Sequence, residues 1–155
     1  MSSDKKKSGG WLGKILLLIF IVGLIGGGVY VLFIWVRTQT QTMNIDSRGF
    51  GIYGFKGNWD TVDVSVNSPN TLYSWLMYES DADAALGQQT AEGKMAALNQ
   101  TNIGDDPVEK AVFNFKIPSD ATSRTSFKLV MYNPATAGTG STTATMKFVG
   151  HLLKL

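Results

Sequence analysis

The sequence contains no cysteine. That excludes disulfides, thiolate metal sites, a cysteine nucleophile and a lipidated cysteine anchor, and it leaves the redox compartment open. His151 is the single histidine, so a histidine-rich metal centre is excluded too. A basic surface for nucleic acid is also missing. The net charge is +2 with a pI near 8.8, but Lys5, Lys6, Lys7 and Lys14 hold four of the fourteen positive residues. From Arg37 onward, ten Lys and Arg face eleven Asp and Glu. That part is about neutral and offers no patch for phosphodiesters. With 44% hydrophobic and 17% charged residues the chain is not of the disordered class, and 155 residues suit one folded domain plus an appendage.

What is present begins with residues 15–36, ILLLIFIVGLIGGGVYVLFIWV, 22 residues without a charge. At about 1.5 Å per residue a helix of this length spans roughly 30 Å, the thickness of a bilayer core. Only a helix satisfies the backbone of such a segment in lipid. Trp11, Tyr30 and Trp35 flank it as interfacial aromatics, and Lys14 and Arg37 bracket it. Lysines concentrate before the run, which predicts residues 1–14 as a cytoplasmic basic tail and the rest as extracytoplasmic. A cleaved signal peptide is the competing reading, with Gly26, Gly27 and Gly28 as small residues near a cleavage point. The apolar VYVLFIWV that follows extends the run to spanning length and favours an uncleaved anchor. Gly23 and Gly27 form a GxxxG. With Gly26 and Gly28 they predict a smooth helix–helix contact, with itself or with another membrane subunit.

Residues 37–47 read as a stalk or first strand, and residues 48–155 as a domain of short strands. Period-two alternation marks residues 61–66 (TVDVSV), 111–117 (AVFNFKI), 126–132 (SFKLVMY) and 142–149 (TTATMKFV), while 71–78 (TLYSWLMY) is apolar and aromatic. Gly, Asn, Pro and Asp fill the breaks. Residues 81–98 are rich in alanine and predict one or two short helical turns, broken at Gly87 and Gly93. The expected fold is an all-β antiparallel sandwich of the Ig-like kind behind a single N-terminal transmembrane helix.

The chemistry-bearing motifs are weak. Gly49-Phe50-Gly51-Ile52-Tyr53-Gly54 spells GxGxxG, but a dinucleotide site needs that motif between a strand and a helix, and FKGNW follows instead. The glycines are expected in a bulged or closely packed strand. Asp81, Asp83 and Glu92 hold positions 1, 3 and 12 of an EF-hand spacing, yet Leu86 occupies the position that needs glycine. Asp105 and Asp106 are further candidates for a loop calcium site. No nucleophile elbow accompanies His151. The chain is therefore read as non-enzymatic, with no cofactor and no assigned metal site. Asn99-Gln100-Thr101 is a glycosylation sequon expected in an external loop. Phe50, Tyr53, Phe55 and Trp59 follow the apolar run closely and are the candidate surface for a protein partner or lipid headgroups.

Residues 111–149 run strand, Ile117-Pro118, polar turn, strand, then Tyr132-Asn133-Pro134 and a threonine-rich last strand. This order resembles the membrane-tethered sandwiches of the GOLD kind, in which the helix follows the sandwich. The helix-first order here is similar to the monotopic sandwich proteins of the archaeal motility machinery. Lys5–Lys7 and Gly9-Gly10 before an apolar helix resemble the leader of type III archaeal prepilins. Ser8 stands where those have a basic residue, and Lys14 would fall inside the mature helix. The resemblances imply a tethered, non-catalytic domain. The leading expectation is an accessory or structural subunit of a membrane or envelope complex. The alternatives are a self-assembling surface filament or virion membrane protein, and an extracytoplasmic ligand- or Ca²⁺-binding sensor.

Overall fold

The computed structural model describes residues 15–24, 36–67, 69–135 and 140–151. It divides into two units, residues 1–35 and 36–155. In the first, residues 15–24 form helix α1. Among the described residues no helix is long and apolar enough to cross a membrane. Residues 25–35, with Gly26, Gly27 and Gly28, lie outside the described residues, as does the basic tail 1–14. Val36, the last residue of the expected span, begins a strand instead.

The second unit is an antiparallel two-sheet sandwich. Its elements are β1 (Val36–Ile45), β2 (Phe50–Lys56), β3 (Thr61–Val66), β4 (Tyr73–Tyr78), α2 (Glu79–Leu86), α3 (Ala91–Thr101), β5 (Val112–Lys116), β6 (Ser126–Tyr132) and β7 (Thr142–His151). One sheet has the order β1-β7-β3-β5 and the other β2-β6-β4. The register places Val62 beside Phe148 and Phe115, and Val64 beside Met146 and Phe113, so period-two alternation aims one set of side chains inward. Val62, Val64, Leu76, Phe127, Leu129, Met131, Met146 and Phe148 fill the space between the sheets. Full burial of each such side chain contributes about 1.5–3 kcal/mol.

The alanine-rich segment corrects the expectation of one or two turns broken at two glycines. It forms two helices, and only Gly87 is a break, with its N–H donating to the Asp83 carbonyl at the end of α2. Gly93 lies inside α3. It stands three residues after the N-cap Thr90, and its N–H is one of the donors a helix start leaves unpaired. The Thr90 hydroxyl accepts it at 3.0 Å. The helices form a third layer. Ala82, Ala85 and Leu98 pack on Trp75, Met77 and Val130, the outward side chains of β4 and β6. Those strands are thus covered on both faces, which is why Trp75, Leu76 and Met77 are all buried in succession.

Candidate interface cleft

β1 and β2 are edge strands of the two sheets. The inward residues of β1 grade from polar to apolar along the strand: Arg37, Gln39, Gln41, Met43, Ile45. Ile45 is buried and Gln39 is exposed. The sandwich therefore closes at one end of this edge and opens at the other. Gly51 belongs to the closed end. A Cβ there would lie 2.8 Å from Ile45 Cγ1 and from Met43 Sδ. The opposite end holds a cleft of about 340 Å³, lined by Arg37, Gln39, Tyr53, Phe55, Lys56, Asn58, Trp59 and Phe148 among others.

Phe148 forms the floor. Its ring centroid lies 5.3 Å from Tyr53, 5.1 Å from Phe55 and 5.7 Å from Trp59. Arg37 lies over Trp59, with its guanidinium carbon 4.3 Å from the ring centroid. Arg37 Nη2 donates to the Asn58 backbone carbonyl. With its amide oxygen turned toward Arg37, the Asn58 side chain accepts from Nη2 at 2.9 Å and donates to the Lys56 carbonyl at 3.1 Å. Arg37 Nε is buried and has no hydrogen-bond partner among the described residues. Lys56 Nζ donates to Ser126 Oγ at 2.6 Å. No carboxylate is among the described residues that line the cleft.

The four aromatics expected to make one surface therefore separate. Tyr53, Phe55 and Trp59 turn inward onto Phe148. Phe50, of opposite strand parity, packs on Tyr132 at 4.8 Å on the outer face, with Lys94 Nζ 5.9 Å from its ring. The residues that complete the cleft, Arg37, Asn58 and Phe148, were not among the sequence candidates. Alternation from Ile45 back to Arg37 was the available signal, since it puts a charged residue on the core side of a strand.

The other motifs resolve into structural roles. Of the GxGxxG glycines, Gly49 closes the turn after β1, donating to the Asp46 carbonyl at 2.9 Å, while Gly51 and Gly54 lie within β2. No helix follows, so no helix N-terminus faces that turn. Asp81 and Asp83 lie on α2 and Glu92 in the first turn of α3. Asp83 pairs with Lys128 at 2.5 Å. Asp105 and Asp106 border a separate cavity with Lys110 and Asn114. Among the described residues no three His, Cys, Asp or Glu gather to hold a metal ion. His151 is 54% exposed, and its Nδ1 lies 2.5 Å from Asp60 Oδ2, tying the end of β7 to the start of β3. The sequon is not in a loop. Asn99 and Thr101 end α3, the Asn99 side-chain Oδ1 accepts from Trp75 Nε1 at 2.7 Å, and the Thr101 hydroxyl donates to the Ala97 backbone carbonyl at 3.1 Å. Gly23 lies in α1 with nothing within 4 Å of a Cβ placed on it.

No protein-family model matches the chain, and no curated protein matches its sequence. Among solved structures, the periplasmic g-type lysozyme inhibitor PliG of Aeromonas hydrophila is similar at TM-score 0.42 and 11% identity, over 74% of this chain and 87% of that one. The Yersinia pseudotuberculosis-derived mitogen is similar at TM-score 0.41 and 10% identity, over 76% and 89%. The tomato aspermy virus structure is similar at TM-score 0.37 and 10% identity, over 85% and 93%.

Proposed function

We propose that the chain is a non-catalytic, membrane-anchored accessory or structural subunit of a membrane or envelope complex, its sandwich held outside the bilayer. One observation carries the reading. Residues 15–36 are uncharged and apolar, and in the helical part Leu16, Leu17, Leu18, Ile19, Phe20, Ile21, Val22 and Leu24 are 45–66% exposed. A helix that is apolar all round needs lipid or protein around it. In this reading the apolar run spans the membrane up to residue 35, before β1 begins at Val36, the N-terminus is cytoplasmic, and Gly23, Gly26, Gly27 and Gly28 form the contact with a neighbouring subunit. A GOLD-like or Ig-like strand plan belongs to the same reading. Tethering by one helix suits docking on a partner.

The test is extraction of the full chain from native membranes. The chain is expected to resist an alkaline carbonate wash, and native mass after gentle detergent release is expected to give a fixed stoichiometry with other membrane subunits. Replacing Gly23 and Gly27 with leucine should break that complex and leave the chain in the membrane. Release by carbonate overturns the anchor. A ladder of the chain alone overturns the accessory role and favours a filament.

A further inference from the structure

Among the described residues that line it, the open end of the cleft combines two cations with aromatic walls and no carboxylate. Arg37 is already ordered there by Trp59 and Asn58, so little side-chain entropy remains to be lost on binding an anion. Its planar guanidinium matches the oxygens of a phosphate, and its buried Nε has no acceptor among the described residues. A buried donor of this kind calls for a partner. Lys56, exposed and hydrogen-bonded to Ser126 Oγ, supplies a second charge at the rim. Lys56 also lines a second cavity with Glu79, whose carboxylate lies 3.9 Å from Lys128 Nζ. A volume of about 340 Å³ holds a phosphate with a small polar group attached, and not acyl chains.

We infer that this cleft binds a phosphate-bearing anion, supplied by the headgroup of an anionic phospholipid. The lipid source rests on the membrane-anchored reading above: Arg37 is the residue directly after the apolar run, so in that reading it emerges at headgroup level. Tyr53 and Trp59 are the residue types suited to that depth.

The experiment uses the full chain in an uncharged maltoside micelle. It is titrated with dihexanoyl phosphatidylglycerol, dihexanoyl phosphatidylcholine or inorganic phosphate, and read by tryptophan emission and melting temperature. Phosphatidylglycerol should give a saturable response, and phosphatidylcholine and inorganic phosphate much weaker ones. Arg37→Gln and Lys56→Gln should each weaken the phosphatidylglycerol response about tenfold, the size of one lost charge-assisted hydrogen bond. Lys56 is exposed, so its variant keeps the test valid even where Arg37→Gln loosens β1. Equal saturation by inorganic phosphate and phosphatidylglycerol upholds the phosphate site and overturns the lipid source. Equal responses to both lipids, or a response unchanged by both variants, overturn the site. A chain that resists carbonate but does not respond fails this inference alone. If carbonate releases the chain, the anchor fails and the inorganic phosphate arm still decides the site.

Discussion

Phe148 joins the two sheets where they diverge. It is 1% exposed and touches three aromatic rings, two on β2 and one in the following loop. Phe148→Ala leaves a cavity under all three and should cost about 3–5 kcal/mol in urea unfolding. It should also shift tryptophan emission to the red as Trp59 loses its packing. The glycines of β2 separate two roles of one residue type. Gly51→Ala drives a Cβ against Ile45 and Met43 and should destabilise by about 1–3 kcal/mol. Gly54→Ala meets open space and should stay within about 0.5 kcal/mol of the parent. A nucleotide-binding role would make both changes costly to binding and neither specifically costly to folding. Asn99→Ala removes the acceptor of the Trp75 indole N–H and should cost about 1–3 kcal/mol, measured by the same unfolding.

Among the elements, the α2–α3 pair is held by its buried face. Leu98 is fully buried against the outer side of sheet β2-β6-β4. Leu98→Asp places an unpaired carboxylate there, and a loss of at least about 3 kcal/mol is expected, with dye binding to newly exposed apolar surface. Strands were legible where polar and apolar residues alternate, as in β3 and in the first half of β6 before the helices cover Val130. TVDVSV and SFKLVMY alternate, and the structure gives strands over those same residues. TLYSWLMY did not alternate, which is the mark of a strand buried on both faces, but nothing in the alanine-rich segment identified itself as the cover. Alanine at 82 and 85 suits close packing, and those side chains are too small to write an amphipathic stripe. The cleft was harder still. Its aromatics were visible in residues 50–59, but grouping them by sequence neighbourhood ignored the parity that sends Phe50 outward. Arg37, Asn58 and Phe148 meet only through the pairing of β1 with β7.

At the scale of the whole molecule, that pairing joins the chain's first strand to its last. Val36 lies opposite His151 and Ile45 opposite Thr142, and β7 also separates β1 from β3. A chain ended before Thr142 keeps only the β3–β5 pair of its larger sheet. It should lose its cooperative transition in thermal melting rather than melt at a lower temperature. The same feature sets an order in time. During synthesis β1 leaves the ribosome early and waits, unpaired, until nearly a hundred further residues have followed it. Through that interval its uncharged TQTQT segment is a strand without a neighbour, open to pairing with another nascent copy. Early capture by a chaperone or a partner strand would therefore govern yield more strongly than the stability of the finished sandwich.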